Sequence, residues 1–236
     1  MSASQLAEVL ESEAYPDSDG KPMANNTIQF RWITTIVGEL EDMFRDDPNV
    51  FVAGDLLWYP VEGQTKINRA PDAMVVFGRP KGDRGSYKQW EEEDIAPQCV
   101  FEVWSSSNRD SEMQKKFAFY NSYGVEEYYL YDPETGLLAG WLNGGSGLLP
   151  ILQMQGWKSP RLGIRFELED GYLSIYRPDG RRFASYLEQA QRADGAEQRA
   201  DAAEQRAQAE AEVRRNAEIE IARLKALLDK YKIHTK

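Results

Sequence analysis

The chain has 236 residues, 42% of them hydrophobic and 28% charged, and a net charge of −11. That balance fits one globular domain of ordinary size with an appendage, and it excludes a disordered chain. With a single cysteine, Cys99, and a single histidine, His234, it also excludes an internal disulfide and a Cys/His zinc site, and the place of His234 close to the C-terminus argues against nucleophilic catalysis with a histidine base.

The charge is unevenly spread. Residues 188–236 hold 10 Lys/Arg and 10 Asp/Glu, so residues 1–187 carry the whole negative excess. An acidic body argues against loose affinity for nucleic acid, though not against a local basic groove or a metal-bridged contact. The opening MSASQLAEVLESEAYP lacks the basic start and apolar core of a signal peptide. No run approaches the roughly 18 apolar residues of a membrane span, so a cytoplasmic protein is expected.

Residues 1–24 form a lead ending in the turn-rich YPDSDGKPM. NNTIQFRWITTIVGELEDMF then predicts a helix, with Ile28, Trp32, Ile36, Leu40 and Phe44 (or Met43) on one face. Asn25 or Asn26 would cap it and Pro48 would stop it. VFVAGDLLWYP and RAPDAMVVFG read as strands, and RPKGDRGSYKQWEEEDIAP as a polar excursion. The basic residues of that excursion could touch a DNA backbone, but the following EEED favours a solvated loop. PQCVFEVWSSSNRD is a strand running into a turn and cap at Ser105–Ser107, and it carries Glu102 inside its apolar half.

SEMQKKFAFYNSYG predicts a helix with a Ser111/Gln114 capping box and a stop at Gly124. VEEYYLYDP and GLLAGWL are strands around a DPETG turn, and LGIRFELEDGYLSIY is a hairpin about Asp170–Gly171. The tyrosines from Tyr120 to Tyr131 read as core and strand packing. Strands with one helix before and one among them predict an α/β (α+β) domain with a mixed sheet over residues 25–187. Residues 188–236 change character, with heptads starting at Arg192, Arg199 and Arg206. The seam is Ala-rich at first and stronger near Ile221, Leu224 and Leu228, predicting a long helix that pairs as a coiled coil, with a solvated single helix as the alternative.

Chemistry must then rest on carboxylates and lysines. Asp72 in APDAMVVFG and Glu102 in CVFEVW both interrupt apolar strand. If the strands are neighbours, the acids converge as oxygen ligands for Mg²⁺ or Mn²⁺. A lysine of QKKFAFY would stabilise negative charge beside them. A structural ion pair is the competing account of each acid taken alone.

The order PD-x-x-V-V, FEV-x-S, a lysine-bearing helix and YGVEEYYLYDP resembles the Uma-two family, grouped with restriction endonucleases in the PD-(D/E)XK nuclease-like superfamily. The likeness spans residues 22–178 and implies a restriction-endonuclease-like sheet flanked by helices, with Mg²⁺ as cofactor and DNA as substrate. By position, Asp72 and Glu102 match the signature acids. The superfamily's lysine position holds Trp104, which implies that the next helix supplies the charge from Lys115 or Lys116. Helix phase favours Lys116, on the face with Met113 and Tyr120. The resemblance also suggests the Val103 carbonyl as a metal ligand, and Asp55, which interrupts apolar strand much as Glu102 does, is a candidate further ligand or a support. Glu39 stands where relatives often place an acid, but Glu41 and Asp42 beside it favour an exposed face.

The expected protein is a Mg²⁺-dependent endodeoxyribonuclease using a metal-activated water, dimeric through its terminal helix. The alternative is a catalytically degenerate nuclease fold serving as an interaction module. A carboxylate-pair glycosidase has only the acid pair behind it.

Overall fold

The computed structural model describes residues 15–20, 22–105 and 110–233. Most of the lead, Ser106, Ser107 and His234 lie outside the described residues. Two compact units emerge, residues 1–186 and 187–236.

In the first unit, α1 (Thr27–Met43) starts where the Asn26 side chain accepts from the Gln29 amide at 2.8 Å. It ends at Phe44, ahead of Pro48, with the Phe44 N–H bonded to the Leu40 carbonyl at 3.1 Å. Its phase differs from the expected one. The buried face is Gln29, Ile33, Ile36, Glu39 and Leu40, whereas Ile28 is 42% exposed. Apolar residues stand on both sides of this helix, so periodicity alone chose a stripe offset by one residue.

The following apolar run is two strands rather than one: β1 (Val50–Ala53) and β2 (Trp58–Tyr59). The break falls at Gly54–Asp55. A Cβ on Gly54 would lie 2.7 Å from the Val37 side chain, and Asp55 has φ +51°. Only glycine fits the first position, and the left-handed second residue turns the chain out of the sheet. Next come β3 (Ala73–Phe77), the short β4 (Tyr87–Lys88) and β5 (Cys99–Val103). The chain continues through α2 (Asp110–Ser122), β6 (Glu127–Tyr131), β7 (Leu138–Asn143), β8 (Leu148–Pro150), β9 (Arg165–Glu169) and β10 (Tyr172–Tyr176). Ser111 lies inside α2, whose preceding residues 106–109 are outside the described residues, while Gly124 at φ +92° follows the helix end as expected.

One six-stranded sheet has the order β1-β3-β5-β6-β7-β8, antiparallel except for the parallel β5–β6 pair that α2 connects. This is a mixed α+β sheet. The β9–β10 hairpin turns at Asp170 and Gly171, φ +52° and +83°, as the sequence predicts. One sheet face packs Val75, Cys99, Phe101 and Tyr129 against Ile33, Ile36 and Leu40 of α1 and against the hairpin. Burying each such aliphatic side chain contributes about 1.5–3 kcal/mol. The other face sets Met74, Val76, Val100 and Tyr128 against Phe119 and Tyr120 of α2 and against Trp58. Strand alternation assigns Asp72 and Glu102 to this second face.

The long polar excursion is folded back rather than free. Arg79 and Arg84 pair with Glu92 at 2.8 and 2.6 Å, Arg79 also pairs with Glu93, and Tyr87 is fully buried. Glu39 is buried, not exposed. Arg177 donates to it through Nε at 2.6 Å, and the Ala184 N–H does so at 2.9 Å. The arginine lies 138 residues away, beyond the reach of local pattern.

The second unit is the helix α3, which spans Tyr186–Ile233. Ile221, Leu224 and Leu228 are more than half exposed along it. Among the described residues, no helix is long and apolar enough to cross a membrane.

Candidate active site

Two adjacent strands deliver the acids. Ala73 pairs with Phe101 across the antiparallel β3–β5 ladder, so one further residue of register sets Asp72 opposite Glu102. Asp72 is 7% exposed and Glu102 2% exposed. The Val103 N–H donates to Asp72 Oδ2 at 2.7 Å, which fixes one acid to the strand of the other.

α2 answers with two side chains one turn apart. Lys116 Nζ donates to Glu102 Oε2 at 2.6 Å and approaches the Ala70 carbonyl at 3.5 Å. Tyr120 donates its hydroxyl to Glu102 Oε1 at 2.5 Å. The i, i+4 spacing places both on the helix face that meets the sheet. Lys115 is exposed at the rim, as the helix phase requires. Trp104 extends the parallel pairing, with its N–H 2.7 Å from the Tyr131 carbonyl, and is not among the cleft-lining residues.

The site opens into a cleft of about 720 Å³. Asp19, Asp55, Asp72 and Glu112 supply its acids, Arg69, Lys115 and Lys116 its cations, and Asn25, Gln29 and Asn68 its amides. Gln29 was not singled out in the sequence. Its side-chain amide donates to the Val103 carbonyl at 2.8 Å, and its Oε1 accepts from the Asn25 N–H at 2.8 Å. It therefore ties the start of α1 to the end of the acid-bearing β5, and it engages the backbone oxygen considered as a metal ligand. With the helix phase set correctly, a glutamine on a buried face would have signalled it. Tyr120 was visible as core, but its hydroxyl partner was not.

Electrostatics set the acids apart. Burial, then the nearby Glu102 charge, push the Asp72 carboxyl well above the usual aspartate range against the opposing pull of Lys116. Burial and Asp19 raise Asp55 as well. Burial works against the Lys116 ammonium, but the charges of Glu102 and Asp72 overcome it and raise its pKa above 10.5. Lys116 is therefore protonated at neutral pH.

The donor set fits a hard divalent cation. Two carboxylates converge beside one ammonium, and the strain on ionised Asp72 is what a cation would relieve. Among the described residues no group of three or more Asp, Glu, His or Cys side chains forms a metal cluster, so Asp55 lines the cleft without joining the pair.

No curated protein matches the chain. Among solved structures, it is similar to a crystal structure described as a "putative nuclease belonging to DUF820" from Anabaena variabilis ATCC 29413. That similarity has 14% identity and a TM-score of 0.43, covering 59% of this chain and 74% of the other. The model of the Uma2 family, described as "Putative restriction endonuclease", matches residues 8–197. With most of its length matched, the chain belongs to the Uma2 family.

Proposed function

We propose that this chain is a divalent-metal-dependent endodeoxyribonuclease, with Asp72 and Glu102 holding Mg²⁺ or Mn²⁺ and Lys116 assisting. The observation that carries this reading is the convergence of Asp72, Glu102 and Lys116 from two paired strands and the helix between β5 and β6, with Asp72 and Lys116 lining one cleft and Glu102 buried directly behind them. A bound cation there would polarise a phosphodiester and lower the pKa of a water.

The chain's own groups do the rest. The Val103 N–H orients the Asp72 carboxylate, and Tyr120 fixes the Glu102 rotamer. Lys116 is already protonated, so it stabilises the negative charge that develops on the phosphoryl oxygens and does not take a proton. It fills from α2 the role that Trp104 cannot fill from the strand. The exposed Ile221, Leu224 and Leu228 stripe on α3 supports pairing of two copies, which suits cutting both strands of a duplex.

Supercoiled plasmid incubated with Mg²⁺ or Mn²⁺ tests the proposal. Wild type should cut it, EDTA should stop the reaction, and Asp72→Asn should be folded and inactive. Equal cleavage by the variant would sink the assignment. The binding-module reading rests on a specific observation too: both Glu102 oxygens are already engaged, by Lys116 and Tyr120. It wins if neither cation raises the melting temperature of the wild type and no cleavage occurs.

A further inference from the structure

Arg69 has no part in the acid–lysine cluster, yet the fold holds it with care. Its backbone makes an isolated bridge to Trp58, with N–H···O distances of 2.8 and 3.2 Å. Its guanidinium carbon lies 5.5 Å from the centre of the buried Phe119 ring, and Nη1 donates to the Asn68 carbonyl at 2.6 Å. Arg69 is half-buried, lines the cleft and stands three residues before Asp72. Among the described residues no carboxylate pairs with Arg69 or with its cleft neighbour Lys115. Four acids line the same cleft, so this is a matter of geometry and not of supply. Among the other described arginines, the half-buried Arg79 and Arg84 and the buried Arg177 are each matched to acids. A rigid, partly desolvated guanidinium without an internal anion is set to receive an external one, and its planar fork suits phosphate.

We infer that Arg69, with Lys115 at the rim, grips a backbone phosphate of duplex DNA next to the one to be cut. This rests on the cleft being a nuclease site. In that arrangement the acids face the scissile group, and the arginine sets the register of the strand relative to them.

Binding without cleavage separates the two claims. A fluorescein-labelled DNA duplex is titrated by anisotropy in EDTA with the full chain across a series of salt concentrations. Arg69→Ala should bind about tenfold more weakly and reduce the slope of log affinity against log salt by about one. Arg69→Lys should keep the slope and lose affinity only a few-fold, because it retains charge but not the fork. Lys158→Ala, which removes an exposed charge outside the cleft, should match wild type. The Trp58 bridge uses backbone atoms only, so both Arg69 variants keep it, and melting curves check their folding. An Arg69→Ala protein that binds like wild type with an unchanged slope overturns the inference, as does a wild type with no affinity for the duplex. A wild type that binds as described but never cuts with Mg²⁺ or Mn²⁺ overturns the nuclease reading alone.

Discussion

Two pairs of buried or half-buried carboxylates in this domain have similar partners and opposite electrostatics. Under α1, a single arginine, Arg177, serves Glu39 and Asp42, donating at 2.6 Å to each. Under α2, a single lysine, Lys116, stands beside Glu102 and Asp72. Asp42 keeps a side chain 38% exposed, so water shares its charge, and the Arg177 hydrogen bond holds its carboxyl below the usual range. Asp72 is buried except where the cleft reaches it, and its carboxyl is driven upward. Glu127 makes a third case, fully buried but satisfied by the Arg161 N–H and the hydroxyls of Tyr129 and Ser159. Burial of a carboxylate therefore says little about function here. An unrelieved carboxylate facing a cleft says more.

That contrast breaks first at Arg177. Arg177→Ala leaves the buried Glu39 without its guanidinium partner and should cost about 3–5 kcal/mol in urea denaturation. Cleavage per folded molecule should not change, and a specific loss of cleavage would remove the distinction between the two regions. Lys116→Ala should act the other way round. Catalysis should fall on the order of 10²–10³-fold, while the stability loss stays below that of Arg177→Ala because Glu102 keeps Tyr120 and gains access to the cleft. Tyr120→Phe is a smaller test. It should cost about 1.5–3 kcal/mol of stability, and by freeing Glu102 Oε1 it should enlarge the melting shift produced by Mg²⁺. A Mg²⁺ shift that shrinks instead would argue against Glu102 as a ligand.

The contrast also explains what the sequence could reveal. Asp72 and Glu102 stood out because a charge within β-branched and aromatic strand residues is rare, and simple antiparallel pairing of neighbouring strands brought them together. Lys116 followed from helix phase against Met113 and Tyr120. The Asp170–Gly171 hairpin followed from turn chemistry. Glu39 was misjudged because its partner is Arg177, and no short-range pattern links positions so far apart. Gln29 was hidden by the offset phase of α1, where Ile28 and Phe30 are exposed apolar residues. Tyr120 and Arg69 share a deeper obstacle. A hydroxyl's partner, and the lack of a carboxylate beside an arginine among the described residues, are properties of three-dimensional neighbours, so only the folded chain could display them.

The last test compares the two regions by pH. The folded-state pKa of Asp72 lies above the ordinary 3.8, so its contribution to stability is fully present below 3.8 and is lost as pH rises through the folded value. Asp42 has the opposite sign. Its folded value lies below 3.8, so its contribution is present above 3.8 and is lost as pH falls through the folded value. In urea midpoints from about pH 3 to pH 8, wild type should lose ground against Asp72→Asn as pH rises. Against Asp42→Asn it should gain ground over the acid end and then level off, by an amount limited by solvent screening of the half-exposed Asp42. Repeating the Asp72 comparison in Mg²⁺ should flatten its slope, since a bound cation favours the ionised carboxylate. A slope unaffected by Mg²⁺ would mean that the buried charge is relieved in some other way, and the site would then resemble the Arg177 network more than a metal centre.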